Sequence, residues 1–345
     1  GLALDLTDSL EQELKDDMLP GMLEQCSIDG KVYMVPYWPV CQSAVVYLDT
    51  VEQAGATDLM AKEPCYGWDT AEFTEWLRKM RGKDKDGNPR YGLGIPSAMA
   101  TPAYHWVTML YFRSFGATFW TDASELCVDF ATPESIKCLE WMQTLAKQDL
   151  IPNPAGFTGQ ACGDLVLQGS IAMQTGNVIP GQARGKGMEI DKDTLAVTDT
   201  ENKRTWRYVQ FPHDGDHPAI CWGGANYSGL VPFRPKNSSS IPGIVKFMHW
   251  LTNKESEEWL VKGAGMLPFR KSVASAVADD PILQYATDCL MPNAWFDAKR
   301  SADTMTVRAI FEQHFQDALA GKSAKQVLQE MTKDCNKAIK CPAPG

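Results

Sequence analysis

The sequence lacks the features that would indicate a membrane-spanning, nucleic-acid-binding or metal-dependent protein. Its 345 residues include no run of 18 apolar residues, so no segment is long enough to span a bilayer as a helix. The formal net charge is −10 and no basic stripe occurs, so we expect neither nucleic acid nor an anionic membrane as a partner. Only five histidines are present, and no C-x-x-C or paired Cys/His cluster is found. We therefore predict no metal site and no cofactor.

Common catalytic motifs are missing as well. The sequence contains no G-x-S-x-G, H-E-x-x-H, P-loop or Rossmann fingerprint. Asp122 and Glu125 are neighbouring acids, but one such pair among 43 acidic residues is no signal for a glycosidase. The residues by themselves thus point to no catalytic site.

Cysteine, in contrast, is abundant. Ten cysteines without zinc-type spacing favour an oxidising compartment with several disulfides over a set of buried free thiols. Spacing does not determine the pairing. Cys335 with Cys341 is a local candidate pair, and Cys26 with Cys41 would bracket an aromatic hairpin.

Composition and length are those of a folded protein with more than one core. The hydrophobic fraction is 44% and the charged fraction is 22%, as in globular domains. A chain of this length is long enough to form two lobes, each with its own hydrophobic core. It opens with Gly1-Leu-Ala-Leu-Asp-Leu-Thr-Asp8, which is typical of the middle of a domain. We therefore expect a processed or incompletely represented N-terminus.

The most informative segment is Gly30-Lys-Val-Tyr-Met-Val-Pro-Tyr-Trp-Pro39. Proline at positions 36 and 39 fixes φ and removes backbone donors, so Tyr37 and Trp38 should lie on a rigid loop outside the strand ladder. Rigid aromatic faces suit a ligand with apolar C–H surfaces and hydroxyl edges, as sugars have. The alternative is that the two rings close a core.

Helices and short strands alternate along the chain, which favours an α/β architecture. Asp69 with Glu72 predicts a capping box before a helix that continues to Met80. Thr132-Pro133-Glu134 predicts a second helix start, and Thr252 or Asn253 should cap a third. Ser323 with Gln326 predicts the start of the last helix.

Glycine-rich strands near 92–96 and 223–229, with a third segment near 286–294, are predicted to cross between two lobes. Lobes joined by two or three such strands are discontinuous in sequence and can bend about the joins. Hinge closure around a ligand uses this geometry.

Short motifs also follow one another in a characteristic order. In sequence they are Leu4-Asp-Leu-Thr7, Asp29–Trp38, Val46-Tyr-Leu-Asp49, Trp68-Asp69, Tyr91-Gly-Leu-Gly94, Gly169-Ser-Ile-Ala-Met173, Trp222-Gly-Gly224, Gly265-Met-Leu-Pro268 and Leu319–Leu328. This order, over essentially the whole chain, resembles family 1 of the extracellular solute-binding proteins, the maltose-binding-protein-like components of ABC importers. The sequence departs from the family at Tyr47-Leu-Asp49 and in its ten cysteines. It also lacks the strand–helix–strand unit with which the family begins.

The resemblance implies a two-lobe, type II periplasmic-binding-protein fold with discontinuous lobes joined by hinge strands. The N-terminal lobe would comprise residues 1–94 plus 229–285, without its first strand–helix–strand unit. The C-terminal lobe would comprise residues 95–228 plus 286–345. A missing or separately numbered stretch explains the absent unit better than a fold without it, because unpaired central strands would expose the edge of a sheet.

The resemblance also implies a ligand site in the cleft between the lobes. Its candidate residues are Tyr37, Trp38, Tyr104, His105, Trp106, Trp120, Asp122, Asn177, Trp222, Gly223, Gly224, Arg270, Asn293 and Trp295. Indole faces would stack on sugar C–H surfaces, while Asp122, Asn177 and Arg270 would satisfy hydroxyl groups removed from water. For each tryptophan the alternative is core packing, and for Asp122 and Arg270 it is a solvated position.

These implications together predict a non-enzymatic receptor, monomeric and periplasmic or extracellular, that captures a sugar or polyol and delivers it to importer transmembrane subunits. A lipid anchor on the N-terminus is an open option. One alternative is a secreted carbohydrate-active enzyme. Another is a receptor for a polar or anionic solute such as a glycerol-phosphate, since Arg270 could serve an anion. A third is an adhesin or a chemoreceptor-coupled sensor with the same fold.

Overall fold

The structure, a computed structural model, describes residues 2–96, 105–121, 127–153, 157–177, 187–224, 229–276, 279–295 and 304–342. For residues 105–107, 176–177, 222–224 and 304–305 it describes the backbone alone. The helices are α1 Gln12–Asp17, α2 Met22–Gln25, α3 Leu48–Gln53, α4 Thr70–Met80, α5 His105–Ser114, α6 Pro133–Lys147, α7 Gly159–Leu167, α8 Ile241–Leu251, α9 Lys254–Ala264, α10 Lys271–Ala276, α11 Pro281–Tyr285, α12 Thr304–Leu319 and α13 Ala324–Ala338. The strands are β1 Ser27–Ile28, β2 Lys31–Val32, β3 Val35–Pro36, β4 Val40–Tyr47, β5 Gly82–Lys83, β6 Pro89–Leu93, β7 Ile171–Asn177, β8 Met188–Ile190, β9 Ala196–Asp199, β10 Arg204–Val209, β11 Cys221–Gly224, β12 Gly229–Leu230 and β13 Ala294–Trp295. In this part of the chain no helix has the length and apolar character needed to cross a membrane.

The chain divides into two compact units, and each is discontinuous in sequence. Unit 1 comprises residues 1–42, 177–201 and 221–299, and unit 2 comprises residues 43–176, 202–220 and 300–345. The mixture of helices and sheet confirms the predicted α/β class. The predicted lobe boundaries stay a prediction. Residues 43–94, which that prediction assigned to the N-terminal lobe, belong to unit 2.

Unit 1 has a hydrophobic core to which the first residues of the chain contribute. Leu6, Leu10, Leu14 and Met18 are buried, and Leu14 is the buried residue of α1. Phe269 joins them from the turn after α9. Further members of the core are Leu4, Met22, Cys26, Val32, Val35 and Met248.

Unit 2 contains a mixed sheet with the strand order β5-β6-β7-β4-β10. β6 and β7 are parallel, with Tyr91 opposite Ile171, while β10 runs antiparallel to β4. A Cβ atom at Gly92 of β6 would lie 2.6 Å from Leu77 Cδ2 of α4. Glycine at position 92 therefore lets the helix pack directly onto the strand.

The helix starts largely follow the sequence predictions. Asp69 and Glu72 form the predicted capping box of α4, and Thr132 accepts a hydrogen bond from Ser135 N at the start of α6. Asn253, rather than Thr252, caps α9 and accepts from Ser256 N at 2.8 Å. The predicted start at Ser323 is confirmed, since α13 begins at the next residue, although the Ser323 side chain makes no cap hydrogen bond.

Two of the eleven tryptophans lie deep in the core of unit 2. Trp68 and Trp76 are 1% and 0% exposed, and their ring centroids are 5.3 Å apart. Phe73 stacks on Trp76. For these two tryptophans, core packing is the role that the structure shows.

One disulfide in unit 2 involves a cysteine of a candidate pair but joins it to a different partner. Cys341 is bonded to Cys127, with 5.1 Å between their Cα atoms. Cys335 is instead buried outside any disulfide on the core face of α13, and Cys26 and Cys41 are buried and not joined by a disulfide. The Cys335–Cys341 and Cys26–Cys41 predictions are therefore wrong. Local spacing misled because α13 turns Cys335 towards the core, whereas Cys341 follows the end of the helix.

Candidate functional site

The predicted aromatic platform is a short turn between β3 and β4 in unit 1. Val35 and Pro36 are buried, and Pro36 lies opposite Gly229 in the antiparallel pair of β3 with β12. Tyr37 and Trp38 follow directly, and both side chains are half-buried. The two residues therefore follow a buried strand, while their own side chains are only half-buried.

Strand pairing gathers three of the predicted segments in unit 1. β4 begins just after Trp38 and pairs antiparallel with β11, so that Gly224 lies opposite Val40. β11 in turn pairs in parallel with β13, where Trp222 lies opposite Trp295. The segments 37–38, 222–224 and 293–295 thus converge on one three-stranded group. The candidate site in unit 1 consists of these three segments.

Close packing of a side chain against a glycine also contributes to this arrangement. A Cβ atom at Gly229 of β12 would lie 2.1 Å from Met34 Sδ. A larger residue at position 229 would require the Met34 side chain to move, next to the pair of β12 with β3, the strand that leads into Tyr37. The glycine-rich stretch near 223–229 was predicted from sequence to be a crossing between lobes, and its described residues form strand pairs with β3 and β4.

Asn293 and Trp295 reach this group through a compact helical segment. A π-helical turn over Ala286–Leu290 and a 3-10 turn over Met291–Asn293 lead into β13. Both side chains are half-buried. An amide and an indole at one strand start can bind a hydroxyl group and an apolar face together.

Trp120 is a candidate in unit 2 whose side chain the structure describes. Its side chain is half-buried, and its backbone forms an antiparallel bridge with Val128. Asn336 of α13 holds Val128 through two hydrogen bonds of 2.8 Å, one to the amide and one to the carbonyl. The Cys127–Cys341 disulfide is adjacent. Trp120 is thus anchored by well-fixed backbone.

Several predicted residues cannot be placed in the site by their side chains. Tyr104 and Asp122 lie outside the described residues. His105 and Trp106 begin α5 and Asn177 ends β7, and for these three the backbone alone is described. Their ligand contacts stay predictions.

Arg270 occupies a different environment from the one expected of a ligand contact. Its side chain is buried in unit 1, and Nη1 lies 3.0 Å from both Glu13 Oε1 and Asp17 Oδ2. Nε and Nη2 donate to Thr252 O at 3.0 and 2.9 Å. The guanidinium is thus engaged by protein groups, which favours a structural role.

The third carboxylate beside Arg270 has an unusual pKa. Glu257 is 1% exposed, and its Oε1 atom accepts hydrogen bonds from the amides of Phe269 and Arg270 at 2.6 and 2.9 Å. Burial raises the pKa of Glu257 to about 7, although these hydrogen bonds and the Arg270 charge act in the opposite direction. The group is therefore partly protonated near neutral pH.

A half-buried polar cluster in unit 2 was not selected from the sequence. Gln174 Nε2 donates to the Tyr47 hydroxyl at 3.0 Å, and the Arg204 guanidinium lies over the Tyr47 ring at 4.5 Å. Arg204 also pairs with Asp49 at 2.9 Å. Burial raises the pKa of Tyr47, so its hydroxyl stays protonated. No local motif indicates the cluster, because Gln174 and Arg204 are distant in sequence from Tyr47.

The residues that the structure describes were also compared with the ligand sets of metal centres. Those residues contain no group of three or more His, Cys, Asp or Glu side chains able to hold a metal ion. The candidate site of unit 1 is instead aromatic and amide in character, which suits a neutral, hydroxyl-rich ligand.

Comparison with known proteins gives one family and one fold. The profile of the family described as bacterial extracellular solute-binding protein matches residues 1–285. A search of curated proteins finds no match. The cyclic α-maltosyl-1,6-maltose binding protein of Arthrobacter globiformis superposes with a TM-score of 0.76 at 18% identity, over 99% of this chain and 80% of that one.

Two further solved structures extend the comparison. An ABC transporter solute-binding protein of Thermotoga lettingae, bound to α-D-tagatose, has a TM-score of 0.72 at 18% identity over 98% of this chain and 81% of its own. The MalE maltose/maltodextrin-binding domain of Bdellovibrio bacteriovorus, bound to maltotriose, has a TM-score of 0.69 at 16% identity over 98% and 80%. These similarities confirm the predicted periplasmic-binding-protein fold.

Proposed function

Because the chain belongs to the bacterial extracellular solute-binding proteins, we propose that it captures a sugar or a polyol for an ABC importer. The observation that supports this most directly is the convergence of the segments 37–38, 222–224 and 293–295 in unit 1. These segments contain three tryptophans and Tyr37, together with two glycines and Asn293. Indole faces match the C–H faces of a pyranose or furanose ring, and amide groups match its hydroxyls.

The similar structures add support of a different kind. The proteins of the same fold compared above are, by their names, bound to α-D-tagatose or maltotriose, or bind a cyclic maltosyl-maltose. A sugar is therefore the first solute class to test. Trp120 of unit 2, together with Tyr104, His105, Trp106, Asp122 and Asn177, belongs to the proposed ligand set.

The alternative of an anionic solute such as a glycerol-phosphate receives no support from the described residues. It depended on Arg270, whose guanidinium interacts with Glu13, Asp17 and Glu257. We likewise propose that the protein performs no turnover. Its family is one of binding proteins, and a labelled glycan should be recovered uncleaved after long incubation.

The proposal includes partners and location. The importer's transmembrane subunits would receive the solute, and the protein would act as a monomer in the periplasm or outside the cell, with a lipid anchor as one mode of retention. Co-purification with the importer tests the first point, and light scattering tests the second. Capture by hinge closure predicts a smaller radius of gyration in solution once solute is added.

The deciding experiment is a thermal-shift and calorimetry panel of maltose, maltotriose, a cyclic tetrasaccharide, tagatose, glycerol and glycerol phosphate. A ligand that binds the folded state raises its stability by about 2.7 kcal/mol at a concentration 100 times Kd. We expect at least one sugar or polyol to raise the melting temperature in a concentration-dependent way. No shift with any neutral sugar or polyol would overturn the proposal.

A matched pair of variants then locates the site. Trp38→Ala should weaken solute binding by about tenfold or more, because it removes a stacking face worth about 1.4 kcal/mol. Trp250→Ala makes the same substitution in unit 1 at a side chain that is 60% exposed on α8. Trp250→Ala should bind solute like the wild type. Equal losses in both variants would exclude the candidate site of unit 1.

A further inference from the structure

Strand pairing brings two cysteines of unit 1 onto the same face of one strand pair. In the antiparallel pair of β4 with β11, Gly223 lies opposite Cys41. Cys221 is two residues from Gly223 along β11 and so faces the same side of the sheet as Cys41. Because glycine has no side chain, no group at position 223 separates the two sulfur atoms. The cysteines are diagonal neighbours across the pair.

Both cysteines are buried as free thiols. Cys41 and Cys221 are each 0% exposed. The two thiols are close enough to interact directly by a hydrogen bond. The Cys221 thiol also donates to Leu290 O at 3.2 Å. Two buried thiols, 180 positions apart in the sequence, are thus neighbours on one face of the strand pair.

We propose that Cys41 and Cys221 are a disulfide-forming pair, joined by a covalent bond when the chain folds in an oxidising compartment. The family is extracellular, and such compartments oxidise adjacent thiols. The Cys127–Cys341 disulfide in unit 2 is consistent with that environment. The bond would link β4 directly to β11, the two strands that position the candidate site of unit 1.

The chemistry is thiol–disulfide exchange with a disulfide-carrying protein oxidase or a small-molecule disulfide. One cysteine thiolate attacks the donor disulfide and forms a mixed disulfide, releasing one donor thiol. The second cysteine thiolate then attacks the sulfur of the first and releases the other donor thiol. The protein loses two electrons and two protons, and the donor disulfide is reduced to two thiols.

The timing of the reaction follows from burial. Burial raises the pKa of Cys221 well above its usual range, and the neighbouring Cys41 thiol raises it further. A buried thiol with a raised pKa is a poor nucleophile. The disulfide must therefore form before β11 packs, while both sulfurs are accessible to the oxidant. Once folded, the reduced protein should resist oxidation.

A non-reducing peptide map of the full chain, exported to the periplasm of a bacterial host, tests the proposal. The protein is denatured with N-ethylmaleimide to block free thiols and then digested with trypsin. Residues 32–62 and 208–236 are tryptic peptides that contain Cys41 and Cys221 as their sole cysteines. We expect the mass of the two peptides joined, and its loss on reduction. Recovery of both peptides as maleimide adducts, or linkage of either one to another cysteine, would overturn the proposal.

Two variants establish specificity. Cys41→Ser should release the 208–236 peptide with Cys221 alkylated. Cys138→Ser removes another buried free thiol, one that belongs to unit 2, and should keep the joined peptide. A folding experiment tests the timing. Oxidised glutathione added to the denatured chain should give the joined peptide after refolding, whereas the same reagent added to the folded, reduced protein should give less than a tenth of that yield.

Discussion

The Nε atom of Arg270 lies 3.5 Å from the Oε2 atom of Glu257, and both side chains are buried in unit 1. The contact is part of a tight connection between the end of α9 and the residues that follow it. Glu257 holds the amides of Phe269 and Arg270, while Arg270 reaches back to Thr252 O just before α9 begins. One buried acid and one buried base thus fix the conformation of the turn after α9.

The pKa of Glu257 predicts a stability that depends on pH. Burial raises this pKa to about 7 in the folded protein, whereas the unfolded carboxyl titrates near 4.5. Between these values the folded state binds a proton that the unfolded state loses. The stabilisation is therefore complete below the unfolded pKa and is lost as pH rises through the folded one. The expected loss is up to about 3 kcal/mol.

Urea unfolding of the wild type and of Glu257→Gln from pH 5 to pH 8 measures this effect. The variant keeps an oxygen that can accept from the two amides, and its stability should change less over the range. Glu258→Gln is the matched control, because Glu258 is half-buried on α9 and pairs with Lys262. If the free energy of unfolding of Glu257→Gln changed with pH as steeply as that of the wild type, another titrating group would be responsible.

Removal of Arg270 is expected to be severe. Arg270→Ala leaves Glu257 and Asp17 without their cation in the interior and should lower the free energy of unfolding by about 3–5 kcal/mol. Lys262→Ala removes an exposed ion pair with Glu258 and should cost no more than about 1 kcal/mol. Chemical denaturation of both variants at one pH checks the difference. If Arg270→Ala is as stable as Lys262→Ala but binds solute less tightly, Arg270 contacts the ligand and its role is not structural.

The contrast between Arg270 and the helix caps shows which parts of the structure could be predicted from the sequence. The capping box of Asp69 and Glu72 depends on groups three residues apart, so the pattern itself contains the interaction. The carboxylates around Arg270 come from positions 13, 17 and 257. No local pattern reveals that a buried loop arginine will contact two acids of the first helix.

The candidate site shows the same limit. Proline spacing correctly indicated that Tyr37 and Trp38 lie outside the strand ladder, between β3 and β4. That Trp222 would pair with Trp295 in parallel strands could not be inferred from their separation in sequence. The order of family motifs supplied the list of segments, and only strand pairing placed three of them together.

Gly92 was predicted to lie in a strand that crosses between lobes. The structure shows a second role, the close packing of α4 on β6, which can be tested. An added Cβ in Gly92→Ala would meet Leu77 Cδ2 at 2.6 Å and Trp76 Cζ3 at 3.0 Å, both in the core. Overpacking of this kind costs about 1–3 kcal/mol. Gly163→Ala is the control, because Gly163 lies within α7 and, apart from its chain neighbours and the backbone of its own helix, no atom of the described residues lies within 4 Å of the added Cβ.

The two glycine variants should change stability in opposite directions. Alanine in the interior of a helix is favoured over glycine by about 0.5–1 kcal/mol, so Gly163→Ala should unfold at a higher urea concentration than the wild type. Gly92→Ala should unfold at a lower one. A stabilised Gly92→Ala protein would mean that β6 and α4 pack less closely than the structure shows.

Asn336 gives the last prediction, which concerns the anchoring of Trp120. Its side-chain amide satisfies both the amide and the carbonyl of Val128, the residue that bridges to Trp120. Asn336→Ala leaves two backbone groups without these partners and should lower the free energy of unfolding by about 1–3 kcal/mol. Gln160→Ala, at an exposed side chain that bonds Asp164, should change it by less than about 0.5 kcal/mol.

Hydrogen exchange separates this local effect from global unfolding. The Val128 amide of Asn336→Ala should exchange faster than the amides of β6, because the opening is confined to the segment around Trp120. If this segment belongs to the ligand site, solute should slow the exchange of Val128 in the wild type and in Gln160→Ala. Solute should slow the exchange of the Val128 amide less in Asn336→Ala, because solute binding must then also order this segment, which lowers the apparent affinity. Unchanged exchange of the Val128 amide on addition of solute to the wild type would separate Trp120 from the site.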